Sequence, residues 1–271
     1  MGLRVNTNLF SLTAQRNLSN VSTRLGGNFG RLSSGLRIAN ASDDAAGLGI
    51  SERMRAQIRS LQQAGRNAGD GVSLVQTAEG ALDELSGNLV RMRELAVQAS
   101  NGTMTDADRA VIDTEFQALI EEIDRVASDT AFNGVNLLDG STTSLSIQVG
   151  TESGQTIDIS LDDMTSSTLD VGTDVTDVTN APAALDLLDT AIDTVSSMRG
   201  SLGASQNRIA STVRSIATAV ENLSAAESRI RDVDIAAETA DLTRNSILQQ
   251  AAVSVLAQAN VQPQIALSLL G

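Results

Sequence analysis

Residues 245–271, NSILQQAAVSVLAQANVQPQIALSLLG, contain no Asp, Glu, Lys or Arg, and no other stretch of the chain is so long and so free of charge. Apolar side chains recur here at helical spacing in several rows, so a helix would be apolar almost all round and would need burial on every side. A membrane could bury it, but unpaired amides in hydrocarbon cost several kcal/mol each. The amides are Gln249, Gln250, Gln258, Asn260, Gln262 and Gln264. We therefore predict no membrane insertion, and burial against neighbouring copies of the same segment, which implies self-assembly.

The middle of the chain carries two long apolar repeats of seven residues. The first comprises Met54, Leu61, Val75, Leu82 and Leu89, with Ala68 and Ala96 in the same register, and the second comprises Leu188, Val195, Leu202, Ile209, Ile216 and Leu223. The repeats have matching lengths, so we predict two long helices that pack on each other within the chain. An intermolecular coiled coil is the alternative. Glycines near residues 67–71 indicate close backbone approach, or else a local break in the first helix.

Shorter elements are predicted between the two long helices. Ser42 or Asp43 is a suitable N-cap for the first long helix, and Thr105 with Asp108 resembles a capping box for a third helix. Two alternating runs near residues 141–161 predict a small β-hairpin. Residues 162–180 are rich in Thr, Ser and Asp without a helical stripe, and predict an exposed linker.

The two chain ends differ in charge from the middle. Residues 1–42 carry five Arg and no acidic residue, and residues 229–271 carry three Arg and four acidic residues. Residues 3–38 have a helical apolar period. A bundle formed by the long helices brings residue 43 near residue 228, so both ends leave from one side and can pair. The sequence thus predicts a mainly α fold: a terminal helical coiled coil (1–42 and 229–271), a long-helix bundle with a small β-hairpin (43–161 and 181–228), and a short linker (162–180).

Composition excludes several kinds of chemistry. The chain has no His, Cys, Lys, Tyr or Trp, so its 19 basic residues are all Arg. Without His or Cys there is no ordinary general base near neutral pH, no thiol nucleophile and no soft metal site. The net charge of −14 argues against nucleic-acid binding. We predict a protein without catalytic residues, metal or cofactor.

Seven blocks along the chain, in order, resemble those of bacterial flagellin. They are NTNLFSL (6–12), RLSSGLRIANASDDAAGLGIS (31–51), GDGVSLVQTAEGAL (69–82), RMRELAVQASNG (91–102), FNGVNLL (132–138), ESRIRDVD (227–234) and ILQQAAVSVLAQAN (247–260). The resemblance implies an extracellular filament subunit for motility that pairs its two ends in an inner tube and places its middle in an outer tube. It also implies a minimal form, because residues 162–180 occupy the place where family members insert variable outer domains.

The resemblance further implies partners and assembly residues. The partners are other copies of the chain, the flagellar cap and hook-junction proteins, an export chaperone and the flagellar type III export apparatus. The expected inner-tube assembly residues are Leu18, Val21, Leu25, Leu32, Ile247, Leu248, Ala251, Val255, Leu256 and Ala259. The two seven-residue repeats are the expected outer-tube packing residues.

Three other functions are weighed against the filament subunit. A hook-filament junction protein would share the chain ends, but the blocks at 91–102 and 132–138 favour the filament. A zinc protease inserted in some flagellins needs an H-E-x-x-H helix, and this chain has no His. Recognition by a vertebrate Toll-like receptor maps by resemblance onto Arg91, Leu95 and Glu115. The alternative is that Arg91 and Glu115 are solvated charges and that Leu95 flanks the apolar stripe.

Overall fold

A computed structural model describes the backbone of residues 7–176 and 180–268, and the side chains of residues 7–176 and 180–262. The helices are α1 (Leu9–Ser34), α2 (Ala45–Ala99), α3 (Asp106–Asp129), α4 (Asn180–Arg231) and α5 (Ile235–Ser268), and the strands are β1 (Ala131–Phe132), β2 (Val135–Asn136), β3 (Ser144–Gln148) and β4 (Thr156–Ser160). The predicted mainly α fold with a small hairpin is confirmed. Residues 1–6, 177–179 and 269–271, which the sequence assigned to the terminal segments and the linker, lie outside the described part.

The chain divides into two compact units, one comprising residues 1–56 and 222–271 and the other residues 57–221. The sequence placed this division at residues 42/43 and 228/229, close to the ends of the long helices. In the structure the division falls at residues 56/57 and 221/222. Both places lie inside a helix, α2 and α4 respectively, and neither helix is broken there.

The core of the unit formed by residues 57–221 lies between antiparallel helices α2 and α4. Arg93 Nε lies 2.6 Å from Asp189 Oδ1, and Arg199 Nη2 lies 3.0 Å from Asp83 Oδ1. The higher residue number on α2 thus pairs with the lower one on α4, so the two helices run antiparallel. The repeat residues at the centre are buried: Val75, Leu82, Leu89, Leu188, Val195, Leu202, Ile209 and Ile216. Met54, Leu61 and Leu223, at the ends of the repeats, are half-buried. The two repeats therefore pack within one chain and are not left for a coiled coil with a second one.

Aromatic side chains contribute little to this core. Of the four Phe residues, Phe116 on α3 is fully buried, Phe132 is half-buried, and Phe10 and Phe29 are exposed. Leu, Ile, Val, Ala and three Met residues fill the remainder, with α3 adding Ile112, Ile120 and Ile123. Aliphatic side chains of this kind pack well along the ridges and grooves of long helices.

The turn between α2 and α3 is held by a buried arginine. α2 has no basic residue in its last turn, and Arg109 of α3 supplies the missing cation. Its Nε donates to the Ala99 carbonyl at 2.9 Å and its Nη2 donates to the Asn101 carbonyl at 3.1 Å. These carbonyls lie at the negative end of the α2 dipole. The predicted capping box is confirmed, because the Thr105 and Asp108 side chains bond each other's backbone N–H groups.

Two antiparallel hairpins follow α3. β1 pairs with β2 across Asn133 and Gly134, which both have positive φ (50° and 79°), as a two-residue hairpin turn of type I′ requires. β3 pairs with β4 in the register Leu145 to Ile159 and Ile147 to Ile157. Ile157 and Ile159 are buried in the core, so the longer hairpin packs its apolar face on the helices.

The segment after β4 corrects the prediction of an exposed linker. Met164, Leu169, Val171 and Val175 are buried in the core. Asp124 of α3 accepts hydrogen bonds from the Ser166 N–H and hydroxyl, both at 2.8 Å, and Asp113 accepts from the Val175 N–H at 3.0 Å. The segment has no regular secondary structure over residues 161–176, but carboxylates of α3 accept from two of its backbone N–H groups. Its apolar side chains lack a helical or strand period, which is why their burial was not visible in the sequence.

The first long helix corrects the expected N-cap and decides between the two explanations offered for its glycines. Its first turn is capped by Asp44, whose Oδ1 accepts from the Gly47 N–H at 2.9 Å, and not by Ser42 or Asp43. Asp43 instead accepts from the N–H groups of Ala39 and Asn40. No break occurs near residues 67–71. Gly71 lets Ile147 and Ile209 approach the α2 backbone closely, since a Cβ on it would lie 3.2 Å from Ile147 and 3.5 Å from Ile209.

Matched substitutions at two nearby glycines of α2 test this close approach. Gly71→Leu is expected to lower the free energy of unfolding by about 1–3 kcal/mol, because the new side chain overpacks the contact between α2, β3 and α4. Gly69→Leu is the control, since nothing lies within 4 Å of a Cβ at Gly69. It should change stability by no more than about 1 kcal/mol, in the stabilising direction that helix propensity predicts. Urea unfolding of the monomer measures both, and equal effects would contradict the account.

Candidate assembly interface

Helices α1 and α5 form an antiparallel pair within the unit of residues 1–56 and 222–271. At one end Asn8 Nδ2 donates to the Ala259 carbonyl at 2.7 Å, and Ser11 Oγ donates to Asn260 Oδ1 at 2.7 Å. Small side chains such as Ser11, Ala14 and Ala259 are buried at this contact and allow the two backbones to approach closely. The predicted pairing of the chain ends is thus present inside a single chain.

A buried polar network joins the last turns of α1 to the first turns of α5. Asn28 is 2% exposed, and its Nδ2 donates to Glu238 Oε1 at 2.6 Å. Its Oδ1 accepts from Asn245 Nδ2 at 3.0 Å, and the Arg31 guanidinium reaches the same Glu238 carboxylate at 2.8 Å. The Glu238 partner raises the pKa of Arg31 above its ordinary value. A buried amide in a helix pair favours the one register in which it finds its partner, so this network fixes how α1 and α5 align.

Backbone hydrogen bonds hold the pair together where α1 ends and α5 begins. α1 ends at Gly35, whose left-handed conformation (φ 73°) lets its N–H donate to the Arg31 carbonyl at 2.9 Å. The Val233 N–H donates to the Gly35 carbonyl at 3.0 Å, and the Arg37 N–H donates to the Arg231 carbonyl at 2.7 Å. The segments that follow α1 and precede α5 are therefore paired like a short piece of antiparallel sheet.

The pair leaves many large apolar side chains uncovered. Those exposed are Leu9, Phe10, Leu12 and Phe29 on α1, and Ile235, Ile247, Leu248, Val253, Val255 and Val261 on α5. A groove of 400 Å³ between the helices is lined by Ala14, Asn17, Asn20, Val21, Arg24, Leu248, Ala251, Ala252 and Val255. Many exposed large apolar side chains on one helix pair indicate an interaction site. Within residues 7–176 and 180–268, no helix is apolar and long enough to span a membrane.

The predicted inner-tube residues divide into two groups. Leu25 and Ala259 are buried in the pair, and Leu18, Val21, Leu32 and Leu256 are half-buried. Ile247, Leu248, Ala251 and Val255 remain exposed. The last group is what a second copy would have to cover.

The sequence missed the polar part of this contact. Asn260 was expected to find its partner on another copy, but it bonds Ser11 of the same chain. Asn28, Asn245 and Glu238 were not identified either. The signal for Asn28 was its place beside the apolar stripe, three residues after Leu25, where an exposed amide would not be expected.

A second candidate surface lies on α2 and α3, in the unit of residues 57–221. Arg91 Nη2 lies 2.8 Å from Glu115 Oε1, and Arg91 Nη1 lies 3.0 Å from Glu94 Oε2. The hydrogen bonds that Arg91 donates to Glu115, and next those to Glu94, raise the pKa of Arg91. These side chains are about half exposed, and Val90, Val97 and Val111 beside them are exposed as well.

Leu95 does not belong to this surface. It is 2% exposed and packs in the core with Leu89, Met92 and Ala96. Its assignment as a receptor contact is therefore corrected: position 95 lies on the inner side of α2, and only Arg91 and Glu115 of the predicted trio reach solvent.

Comparison with known protein families finds two matches that together cover most of the chain. The model for the bacterial flagellin N-terminal helical region matches residues 5–143, and the model for the bacterial flagellin C-terminal helical region matches residues 185–270. The flagellin of Halalkalibacterium halodurans is 50% identical over 269 residues, covering 98% of this chain and 99% of that protein. The flagellin of Bacillus subtilis is 43% identical over 304 residues, covering 99% of this chain and 100% of that protein.

Solved structures show the same architecture. The crystal structure of Bacillus cereus flagellin aligns with a TM-score of 0.52 at 34% identity, over 56% of this chain and 88% of that one. A putative flagellar hook-associated protein from Vibrio parahaemolyticus aligns with a TM-score of 0.61 at 17% identity, over 70% of this chain and 100% of that one. The second likeness shows the fold alone.

A double-mutant cycle tests the buried network. Asn28→Ala should destabilise the α1–α5 pair by about 1–3 kcal/mol, because it leaves the buried Asn245 amide without its partner and removes one of the donors to the Glu238 carboxylate. Asn28→Ala combined with Asn245→Ala should cost less than the sum of the single changes, with a coupling of about 1 kcal/mol. Hydrogen exchange at the amides of α1 and α5 measures the stability. Asn20→Ala, at an exposed amide of the same helix, is the control, and strict additivity would show that the two amides act independently.

Proposed function

The chain belongs to the bacterial flagellin family and is a structural subunit that polymerises into the flagellar filament, and on that premise we propose which of its surfaces carry assembly. The uncovered face of the α1–α5 pair is the interface with other copies of the chain. Its partner is a different surface of the same helix pair on a neighbouring copy, because an open helical polymer of identical subunits is built from heterologous contacts. The buried network of Asn28, Asn245 and Glu238 holds this face in one register before it is covered.

One observation carries this proposal: the uncharged part of α5 is not buried by its own chain. Ile247 is 61% exposed and Val255 is 54% exposed, although no charged residue lies between Asn245 and the end of the described side chains. At about 25 cal/mol per Å² of apolar area, covering such side chains is favourable in every subunit. Assembly supplies the cover that the intramolecular partner α1 leaves incomplete.

The surface of α2 and α3 around Arg91 supports a second set of contacts, with a neighbouring protofilament. Charged and apolar side chains alternate there, with the Arg91–Glu115 pair beside exposed Val90, Val97 and Val111. A polar interface with a few apolar anchors suits subunits that must shift relative to each other, since packed interfaces change between discrete arrangements.

Family membership also supports the remaining partners. Flagellins form the filament outside the cell, so we infer that this chain is secreted through the flagellar type III export apparatus with the help of an export chaperone. In the filament it would meet the hook-junction protein at one end and the cap protein at the other. The alternative role as a hook-filament junction protein is not favoured, because full-length identity of 50% is to a flagellin. The family is a structural one, which is consistent with a chain that lacks His and Cys.

A charge placed on the exposed apolar face tests the assembly proposal. Ala251→Asp should abolish filament growth, because an unpaired carboxylate buried in a packed interface costs several kcal/mol in every subunit. The monomer should keep its helix content, since Ala251 is exposed in the isolated chain. Sedimentation and negative-stain microscopy at neutral pH measure assembly. Thr243→Asp, in the part of α5 that already carries charges, is the matched control and should polymerise. Normal filaments from Ala251→Asp would show that Ala251 faces water.

We propose in addition that the free monomer can bind a vertebrate Toll-like receptor through Arg91 and Glu115. What supports it is an exposed Arg held in a fixed direction by carboxylates of two helices, a geometry typical of interfacial anchors. Arg91→Ala should weaken receptor binding about 30-fold with little effect on folding, because the pair is exposed. Arg125→Ala, which removes two exposed ion pairs confined to α3, is the control. Equal loss in both variants, or none in Arg91→Ala, would contradict the assignment.

A further inference from the structure

The chain contains no type of side chain that ordinarily titrates within a wide interval of pH. Apart from the chain termini, the sequence contains only Asp and Glu, 33 in all, and Arg, 19 in all, with no His, Cys, Tyr or Lys. Asp and Glu ordinarily titrate near pH 4 and Arg above about pH 12, whereas the four absent types titrate between about pH 6 and pH 11. The net charge of −14 is therefore constant across that interval.

The structure shows which contacts depend on a constant charge: the ion pairs between helices. Among the residues whose side chains the structure describes, six ion pairs join different helices, and in each the cation is Arg: Arg31–Glu238, Arg55–Glu227, Arg231–Glu52, Arg91–Glu115, Arg93–Asp189 and Arg199–Asp83. The other charged groups near them are also carboxylates or Arg: Glu94 beside Arg91, Glu52 beside Arg55, and Asp43 and Asp241 around Arg31. These clusters contain no His, Cys, Tyr or Lys, because the chain has none.

The buried cation at the end of α2 is the most sensitive position. The Arg109 side chain is 5% exposed and donates to the carbonyls of Ala99 and Asn101 and to Asp106. A Lys at such a position would have its pKa lowered by burial and would lose its proton well before bulk Lys does. Guanidinium avoids this loss and also matches the two carbonyls with a fork of donors.

We propose that this chain is built to keep the ion pairs between its helices unchanged from about pH 6 to about pH 11.5, and that its filament therefore functions in strongly alkaline surroundings. The physical basis is the use of Arg in every cation position, with no residue of intermediate pKa in the chain. This property goes beyond filament assembly itself, since a chain with Lys in the same places would form the same pairs at neutral pH.

The direction of the pH effect in a Lys variant follows from linkage. A Lys that gains a carboxylate partner on folding has its pKa raised above the unfolded value of about 10.4. Its contribution to stability is complete below that pH and is lost as the pH rises through the folded pKa. An Arg in the same pair keeps its contribution, because both its folded and unfolded pKa values lie above the interval.

Two triple variants of the full chain separate ion pairing from net charge. In the pair variant, Arg91, Arg93 and Arg199 are each replaced by Lys. In the control variant, Arg59, Arg208 and Arg214, which lie in the same unit and outside the ion pairs given above, are each replaced by Lys. Both variants lose the same number of charges above about pH 11, so a difference between them reports the paired positions alone.

The readout is the melting temperature of the monomer between pH 7 and pH 11.5. We expect the unsubstituted protein and the control variant to keep their pH 7 values, and the pair variant to fall by about 4 °C with a midpoint near pH 11. A fall of that size in the unsubstituted protein, an equal fall in the control variant, or no fall in the pair variant would each overturn the proposal.

Filaments provide the second measurement. Filaments grown at pH 7 from the unsubstituted chain and moved to pH 9, 10 and 11 should sediment in the same amount at each pH. Loss that begins between pH 9 and pH 11 would overturn the proposal of alkaline tolerance. Failure to form filaments at pH 7 would instead count against the assembly interface, so the two proposals are tested separately.

Discussion

Incomplete burial of an uncharged helix is the constraint on which this structure depends. α5 from Asn245 onward has no charged side chain, and α1 covers only part of its circumference, so Ile247, Leu248 and Val255 stay exposed. Apolar area left in water is unfavourable in proportion to its size. Within residues 7–176 and 180–262 no further element of the chain covers it, which is why we propose other copies of the chain as its cover. On this proposal, polymerisation depends on a helix that its own chain buries only in part.

The polar groups of the α1–α5 pair give that contact its direction. Burial of apolar surface is not directional, so by itself it would tolerate several alignments of two helices. Asn28, Asn245 and Glu238 find all their partners in one alignment only, and a shift of one turn would leave buried polar groups unpaired. The network thus holds α1 and α5, and with them the assembling surface, in one alignment. Its polar groups take the place of some apolar contact.

The unit of residues 57–221 reaches stability by different means. Long antiparallel helices bury aliphatic repeats with almost no aromatic help, and polar side chains hold the ends and connections: Arg109 at the end of α2, Thr105 with Asp108 at the start of α3, and Asp113 with Asp124 beneath the segment that follows β4. Because every cation in these contacts is Arg, their strength depends little on pH above the carboxylate range.

The sequence by itself determined the long helices, the hairpin, the capping box and the pairing of the chain ends, because these follow from periodicities and cap residues that act over a few positions. Tertiary structure decided the burial of Leu95, the packing of residues 161–176 on α3, the Asp44 cap, and the bond from Ser11 to Asn260. Each of these depends on which group another element brings close. A residue such as Leu95, at the edge of a helical stripe, is buried or exposed according to whether a further helix covers that edge, and no local pattern carries that information.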